Sequence, residues 1–326
     1  MKVFITGASG FIGTNLVAEF ARQGVEVVNY DVRVPYCDEQ RKYWLEGDIL
    51  DAVKLEQAVS DARPDAVVHL AARTDVDENT SVEEGYPANT NGTQNLLKAI
   101  TAVPSVKRVI ITSSQYVCGP GYQPKHDEDY APVAVYGQSK VETERLTRNA
   151  GLTCCWTIIR PTNIWGPWHM RYRSQFWRAV QKGFYMHPAG EPVIRNYGYV
   201  GNIVAYILRI LDMPAEQVNR QTFYLSDPPE DIREWVNAFS LALKGRKAIE
   251  IPRPVLYVLG LAGDVISRLR GKQFYITTSR VRSMTTNYVA PVEQTYRLLG
   301  MPPVSLEQGV KESVMWLIEY NKTHED

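Results

Sequence analysis

A loop with three evenly spaced glycines, Gly7, Gly10 and Gly13, constrains the fold of this chain more than any other feature. The loop lies between a strand-like run, Lys2–Thr6, and a helical pattern over Phe11–Gln23. In such a strand–loop–helix unit, glycines permit a tight turn, close approach of a pyrophosphate to the backbone and close packing of helix on strand. The loop therefore predicts a βαβ unit that binds a dinucleotide.

Further residues near this loop define the expected cofactor site. The helix that begins at Phe11 and Ile12 presents unpaired amide groups and a partial positive charge to the phosphates. Asp31 ends the second predicted strand, where a carboxylate can accept both hydroxyls of an adenosine ribose. That carboxylate repels a 2′-phosphate, so NAD is favoured over NADP, although Arg33 could hold such a phosphate. The dipeptide Asp48-Ile49 is expected either beside the adenine or, through Asp48, as a helix N-cap.

The first half of the chain alternates strand-like runs with helical patterns, which is typical of a parallel sheet between two helical layers. The predicted strands are Lys2–Thr6, Glu26–Tyr30, Ala66–Leu70, Arg108–Thr112 and Thr153–Ile159. Helices are predicted near Phe11–Gln23, Lys54–Ala62, Thr90–Ile100, Val135–Asn149, Arg173–Lys182, Ile203–Leu211, Asp231–Leu243 and Leu306–Asn321. The regular alternation stops after Pro161. We predict an α/β fold with a Rossmann-like doubly wound parallel sheet over residues 1–166. Residues 167–326 are expected mainly to form a smaller substrate-binding lobe, with some elements returning to the core.

Charge and composition limit the possible partners. Among 326 residues, 36 Lys and Arg balance 36 Asp and Glu, so no global field attracts nucleic acid or an anionic membrane. The most apolar later stretch, Val255–Ile266, is too short and too polar to span a bilayer. The four cysteines lack metal-site or disulfide spacing, and no signal-peptide pattern opens the chain. We expect a cytoplasmic protein without a metal site and without nucleic-acid or membrane partners.

A tyrosine and a lysine four residues apart, Tyr136 and Lys140, form the candidate catalytic pair. This spacing places both side chains on one face of a helix. A tyrosine with a pKa of about 10 is a poor base, but an adjacent ammonium and a cationic nicotinamide are expected to lower that pKa. Lys140 can also donate to the nicotinamide ribose. Ser114, at the carboxyl end of a predicted strand, faces the same crevice and can donate to a substrate oxygen.

Several motifs in a fixed order resemble those of the extended short-chain dehydrogenases/reductases, specifically the NAD-dependent epimerase/dehydratase family that modifies nucleotide sugars. The motifs are the Gly7–Gly13 loop, Asp31, His69-Leu-Ala-Ala72, Asn89, Ser113-Ser114, Tyr136-x-x-x-Lys140 and Arg160-Pro-Thr-Asn163. The resemblance runs strongly from Met1 to about Pro167 and thinly thereafter. It implies that Leu70, Ala71 and Ala72 pass under the cofactor pyrophosphate.

The resemblance also implies roles at the reacting centre and on the substrate side. Ser114 matches the substrate-orienting residue, Tyr136 the acid/base, and Lys140 the cofactor-binding lysine. Asn89 resembles an asparagine that braces the active-site backbone. The substrate diphosphate is expected to meet three residues: Asn163, the phosphate-clamping Arg195, and Arg282, with Arg280 competing for the role of Arg282. The Tyr199–Asn202 run departs from the family, because Gly201-Asn202 replaces an acidic pair.

The residues after the catalytic serine bear on the type of reaction. Sugar dehydratases of this family place Asp-Glu there, whereas this chain has Gln115 and Tyr116, so elimination lacks its positioned acid and base. A nucleotide-sugar 4-epimerase is therefore the leading hypothesis. A nucleotide 4-keto-sugar reductase is the main alternative. A sterol-like alcohol dehydrogenase and a non-enzymatic NAD-binding sensor are further alternatives. The resemblance also implies a homodimer through the helices near Thr90 and Val141.

Overall fold

The computed structural model describes residues 1–271 and 274–324, and a seven-stranded sheet forms its centre. In spatial order the strands are β3 (Trp44–Glu46), β2 (Glu26–Asp31), β1 (Lys2–Thr6), β4 (Ala66–His69), β5 (Arg108–Thr112), β6 (Cys155–Pro161) and β11 (Gln221–Leu225). Every neighbouring pair in this sheet is parallel. The strand order reverses between β1 and β4, so the ligand crevice of such a sheet lies beyond their carboxyl ends.

Helices and short strand pairs complete the fold. The helices are α1 (Phe11–Arg22), α2 (Ala52–Ala62), α3 (Val82–Gly85), α4 (Asn91–Thr101), α5 (Ala134–Asn149), α6 (Met170–Tyr172), α7 (Arg178–Gln181), α8 (Val200–Asp212), α9 (Ala215–Val218), α10 (Ile232–Lys244), α11 (Arg253–Arg270), α12 (Thr278–Thr285), α13 (Glu293–Leu299) and α14 (Leu306–Thr323). Three two-stranded sheets pair β7 (Asn163–Trp165) with β10 (Tyr197–Tyr199), β8 (Met186–Pro188) with β13 (Ile249–Ile251), and β9 (Ile194–Arg195) with β12 (Glu230–Asp231). Short 3-10 helices lie at Asp38–Tyr43 and Gln115–Val117, and a π-helical turn, Arg173–Trp177, joins α6 to α7. Within the described residues, every helix is too short or too polar to cross a membrane.

Both faces of the sheet are covered, which explains why its strands are apolar throughout. On β1, Val3 and Ile5 pack into one hydrophobic cluster, whereas Phe4 packs into the cluster on the opposite face. Helices α1 and α8 pack together on the first face, and α2 and α4 on the second. The predicted doubly wound parallel sheet is therefore confirmed.

The predicted elements differ from the structure mainly in the second half of the chain. The first four predicted strands are present within one residue of their expected ends, but β6 begins at Cys155 and runs to Pro161. Strands β3 and β11 and helices α11–α13 were not predicted. β3 has only three residues, and β11 lies in the region without regular alternation, yet pairs with β6 and extends the main sheet.

The second lobe has an aromatic core. Trp165, Trp177, Trp235 and Phe239 are buried together, so most of the aromatic residues that follow Pro161 are packing residues. This core supports β7 and β10, which carry the chain from the end of the main sheet into the lobe. The lobe thereby covers the carboxyl edge of the sheet from one side.

Candidate functional site

The glycine loop packs directly against the loop that follows β4. Gly7 has a φ of +73°, and a Cβ there would lie 2.5 Å from the backbone nitrogen of Ala71. A Cβ at Gly13 would lie 2.4 Å from the Cα of Ala8, so close packing of α1 on the loop also requires glycine. Gly10 precedes α1 without a side-chain cap, which leaves the first helical amides, on Phe11 and Ile12, directed at the loop.

The loop after β4 forms the opposite wall of this crevice. The Leu70 amide donates to the Thr6 carbonyl at 2.9 Å, while Ala71 and Ala72 continue beside the glycine loop. His69 is hydrogen-bonded to the hydroxyls of Thr6 and Thr93, and burial lowers its pKa to about 3. The His69 ring is therefore a neutral structural group that ties β1 to β4, and the backbone after it is what faces the crevice.

Asp31 is held at the end of β2 by the backbone. Its carboxylate accepts from the amide of Ser9 at 3.0 Å and from that of Arg33 at 2.9 Å. The carboxylate is buried beside the glycine loop, and the exposed Arg33 lies close to Gly10. Both the carboxylate and the competing guanidinium thus lie where an adenosine ribose would be recognised.

Asp48 and Ile49 follow β3, and the structure excludes one of the two roles expected for them. The exposed Asp48 accepts from the Leu50 amide at 2.9 Å, and it does not cap the following helix. Asp51 is the N-cap of α2, where it accepts from the Lys54 amide at 3.0 Å, so the N-cap alternative for Asp48 is wrong. Ile49 is buried in the core beside α4, and only its edge is available to an adenine.

The candidate acid/base lies in the first turn of α5. Tyr136 is buried, with Tyr116 packed edge-on against its ring at 5.7 Å between centroids. The chain enters this helix through Ala134, whose φ of +63° is unusual for a residue with a Cβ and is the kind of strain that concentrates at functional sites. The Ser114 hydroxyl is near enough to the phenol to lower its pKa, although burial outweighs this and raises the pKa of Tyr136 to about 12.

Lys140 is one helical turn further along and points at the end of β5. Its ammonium donates to the Thr112 carbonyl at 2.8 Å, and burial lowers its pKa to about 8 despite the Glu144 carboxylate. In the chain without its cofactor, burial of the phenol dominates and the Tyr136 pKa is raised. That Lys140 and a cationic nicotinamide together lower this pKa stays a prediction.

Two buried networks fix the catalytic helix from behind. The Asn89 side chain bonds both backbone groups of Arg73, at 2.8 and 3.0 Å, and donates to the Ser139 hydroxyl at 2.9 Å. Glu144 forms a bidentate pair with Arg160, at 2.8 and 2.7 Å, and accepts from Ser113 at 2.6 Å. Glu144 was not recognised from the sequence, although its place four residues after Lys140 puts it on the same helix face.

On the substrate side, Asn163 begins β7, whose partner is β10, and Arg195 ends β9, whose partner is β12. Asn163 is the register partner of Tyr197, two residues after Arg195. The Arg195 guanidinium is buried, donates to Ser283 on α12 (2.9 Å to the hydroxyl), and lies over the Tyr288 ring at 5.7 Å. Its Nε has no hydrogen-bond partner among the described residues. An inward-facing cation with an unused donor suits an anionic ligand.

The two other candidate arginines have different surroundings: Arg282 faces solvent, whereas Arg280 is bonded to the protein. Arg282 is exposed on α12; its carbonyl accepts from Thr286, while its guanidinium has no hydrogen-bond partner in residues 1–271 and 274–324. Its competitor Arg280 donates to the Gln175 side chain at 3.0 Å, and burial and then the nearby Arg171 lower the pKa of its guanidinium. Arg171 and Arg280 are therefore two cations in proximity, a pairing that the sequence did not indicate.

Gln115 connects the catalytic turn to the lobe. It is buried, yet neither of its side-chain amide atoms has a partner in the described part of the chain. Its backbone carbonyl accepts from the Tyr288 hydroxyl at 2.9 Å, and Tyr288 also carries Arg195 over its ring. Tyr288 was missed because no sequence pattern marks it. The departure at Gly201-Asn202 is structural, since Asn202 donates to Asp227 at 2.7 Å and to the Val304 carbonyl at 2.9 Å.

The residues of the crevice fit NAD. A glycine loop that a Cβ would fill, uncapped amides at the start of α1, and a buried carboxylate at the end of β2 match a pyrophosphate and an adenosine ribose. The nicotinamide end would then lie beside Tyr136 and Lys140. The arrangement can remove a proton from an alcohol while a bound dinucleotide takes the hydride.

Known proteins support this interpretation. The profile of the NAD dependent epimerase/dehydratase family matches residues 3–225. The N-acetyl-alpha-D-glucosaminyl-diphospho-ditrans,octacis-undecaprenol 4-epimerase of Escherichia coli O157:H7 is 27% identical over 97% of this chain and 95% of its own length. The UDP-glucose 4-epimerase of Vibrio cholerae is 29% identical, with 98% and 96% covered. The solved structure of MoeE5 in complex with UDP-glucuronic acid and NAD has a TM-score of 0.73 at 22% identity, over 98% of this chain and 100% of that one, and shows the shared fold. The chain therefore belongs to the NAD dependent epimerase/dehydratase family, and NAD is its cofactor.

Proposed function

We propose that this enzyme is a 4-epimerase of sugars carried on a diphosphate. The observation that carries the proposal is a reacting centre containing Ser114, Tyr136 and Lys140, with the neutral Gln115 where an eliminating enzyme needs an acid. Epimerisation needs one proton acceptor that becomes the donor in the reverse step, and Tyr136 can do both. Relatives named as 4-epimerases of a UDP sugar and of a lipid-diphosphate sugar support the same reaction.

In this proposal the chain handles the proton and the orientation of the sugar. NAD held by the glycine loop and Asp31 would supply the hydride acceptor for sugar C4 and would return the hydride to the opposite face of the sugar. Tyr136 takes the proton of the C4 hydroxyl as that hydride leaves, and gives it back to the carbonyl oxygen after the sugar has turned. Ser114 donates to the same oxygen, and Lys140 holds the nicotinamide ribose and stabilises the phenolate.

We assign the diphosphate to Arg195 and Asn163, with Arg282 as the solvent-side candidate. Arg195 is held by Ser283 and Tyr288, and Tyr288 bonds the Gln115 carbonyl, so the clamp is mechanically linked to the catalytic turn. The carrier beyond the diphosphate is a nucleotide in the leading proposal. A lipid carrier is the second candidate, because the Escherichia coli relative is named for an undecaprenol-linked sugar and a diphosphate is common to both carriers.

The reductase alternative loses its main sequence argument. The departure from the family at Tyr199–Asn202 would favour a reductase if it marked an unusual deoxy-keto substrate, but Asn202 is bonded to Asp227 and Val304 inside the lobe. The run is explained by internal bonding, so it no longer favours a reduced product.

The test supplies purified enzyme with UDP-glucose or UDP-N-acetylglucosamine, without added cofactor, and follows the sugar by NMR. Appearance of the C4 epimer, with NAD released on denaturation, is the expected result. Stoichiometric consumption of NADH or NADPH with a 4-keto sugar, and no epimer without cofactor, would identify a reductase. The variant Tyr136→Phe is the control for a contaminating epimerase.

We further propose a homodimer through α4 and α5. A groove of about 380 Å³ lies between these helices, lined in part by Leu97 and Leu146, away from the candidate site. Light scattering on the intact chain tests this assembly, and a monomer at micromolar concentration would contradict it. A cytoplasmic location and the absence of nucleic-acid partners stay predictions from composition.

A further inference from the structure

Helix α11 is attached to the rest of the protein by one narrow face. Its buried residues are Leu256, Gly260 and Gly263. The two glycines allow the segment that leads into α12 to pack directly on the helix, since a Cβ at Gly263 would lie 1.7 Å from the Ile276 carbonyl oxygen. The orientation of α11 is therefore fixed, and its remaining sides face outward.

The outward face of α11 is apolar instead of polar. Val258, Val265 and Leu269 are 64%, 55% and 82% exposed, respectively. They are joined there by four further exposed residues: Val255, Tyr257, Leu259 and Leu261. At about 100° per residue these side chains centre opposite the buried glycine face. A surface helix of a globular protein ordinarily turns its polar side to water, so this helix has the reverse pattern.

The charges on α11 lie at the borders of the outward face and are mainly positive. Its only acid, Asp264, accepts from the amide and the hydroxyl of Thr278 and thus faces the protein. Arg268 and Arg270 are exposed in the last turn. Arg246 and Lys247 are exposed just before β13, while the nearby Glu250 has Arg233 as its partner.

We propose that α11 docks on the surface of an anionic phospholipid bilayer. An apolar face bordered by arginines, on a helix of 18 residues, is the pattern that lies in the plane of a membrane interface, with the side chains in the acyl boundary and the guanidinium groups at the phosphates. Tyr275, exposed five residues beyond the end of the helix, is a residue type that favours the same interface. A neutral total charge led to the expectation of no membrane partner, but the local distribution of charge is what a bilayer meets.

The docked helix would place the substrate lobe at the membrane. Helix α11 packs on α12, and α12 supplies Ser283, which accepts from Arg195. Docking through α11 thus puts the proposed diphosphate clamp one helix away from the lipid headgroups. The docking inference goes beyond the proposed reaction and stands on exposure and charge alone, so a failure of the epimerase assay leaves it intact.

The test is flotation of the intact protein with vesicles of phosphatidylcholine, with or without phosphatidylglycerol. The wild type is expected to float with the anionic vesicles. The triple variant Val258→Gln, Val265→Gln, Leu269→Gln should lose at least about tenfold in affinity for these vesicles, because each removed apolar group weakens insertion. The matched control removes three equally exposed apolar residues elsewhere: Val53→Gln, Met315→Gln and Ile318→Gln. It should float like the wild type.

A second variant tests the charge separately and does not depend on the first one folding. Arg268→Gln with Arg270→Gln should weaken binding to anionic vesicles and leave binding to neutral ones unchanged. Failure of the wild type to float, or equal flotation of all variants, would overturn the proposal. A wild-type oligomer that the triple variant disrupts, with no flotation, would identify a second copy of the chain as the occupant instead.

Discussion

Particular side chains on the two sides of the crevice differ in how completely the protein satisfies their polar atoms, although Asn29 Oδ1 and Thr112 Oγ1 on the cofactor side also lack a partner among the described residues. On the cofactor side, Asp31, His69 and Asn89 are hydrogen-bonded within the chain. On the substrate side, both amide atoms of Gln115 and the Nε of Arg195 have no partner among the described residues. Buried polar groups without partners are costly, so such groups indicate where a ligand completes the network.

We infer from these residues that the bonds of Asp31, His69 and Asn89 form on folding, whereas Gln115 and Arg195 gain partners when the substrate binds. Changes behind the cofactor side should therefore lower the free energy of unfolding. Changes on the substrate side should alter binding with little effect on folding. The catalytic residue lies between the two and should alter turnover alone.

The largest effect is expected at that boundary. Tyr136→Phe should reduce kcat about a thousandfold, since general acid–base catalysis is lost while the ring still packs against Tyr116. NAD binding should be nearly unchanged, because we assign the ribose contacts to Lys140. Steady-state kinetics and cofactor titration measure the two quantities, with Tyr116→Phe as the matched control. A kcat within tenfold of wild type would remove Tyr136 from the reaction.

The next effect sharpens the inference that polar bonds behind the cofactor side form on folding. Glu144→Gln should lower the free energy of unfolding by about 3 kcal/mol, because it leaves the Arg160 guanidinium buried without a counter-charge. Urea denaturation measures the loss. Glu19→Gln breaks the exposed pair with Arg22 and should cost less than about 1 kcal/mol. Equal losses for both variants would contradict a structural role for the buried pair.

The sequence predicted the cofactor side well because its determinants are local. The glycine loop is contiguous with β1 and α1, and Tyr136 and Lys140 share one helix face, so spacing alone brings them together. The position of Asp31 was predicted from its place at the end of the second predicted strand, Glu26–Tyr30. Each of these inferences needs only the periodicity of one or two neighbouring elements.

The substrate side depends on contacts between distant segments, which no local pattern records. Tyr288 bonds the Gln115 carbonyl across 173 positions, and Arg195 meets Ser283 across 88. Strand β11 joins the main sheet from beyond the lobe. The apolar stretch Val255–Ile266 was recognised as too short to span a membrane, but only the packing of Gly260 and Gly263 shows which of its residues face outward.

A third prediction tests the substrate side directly. Arg195→Ala should weaken binding of a nucleoside diphosphate by about 2 kcal/mol, the order expected for loss of a buried charged partner. Thermal-shift titrations with UDP, dTDP, GDP and CDP measure the effect, with Arg282→Ala for comparison. Because changes on the substrate side should have little effect on folding, the unliganded Arg195→Ala variant is also expected to unfold near the wild-type temperature. Equal stabilisation of variant and wild type by every nucleotide would place Arg195 outside the site.

The smallest effect concerns the choice of cofactor and returns to Asp31. The Ser9 and Arg33 amides bond different oxygens of its carboxylate, so Asp31→Asn removes the charge and keeps an acceptor oxygen for one of the two amides. Relief of repulsion with a 2′-phosphate should be worth at least about 1 kcal/mol, the value for two unit charges about 4 Å apart in water, so discrimination against NADP should fall several-fold or more. Asp31→Ala should relax discrimination equally but should also lower stability, because two amides lose their acceptor. Titration of both variants with NAD and NADP, together with thermal unfolding, separates charge from hydrogen bonding. If the wild type already prefers NADP, Arg33 governs recognition, and a further Arg33→Ala variant should then lose that preference.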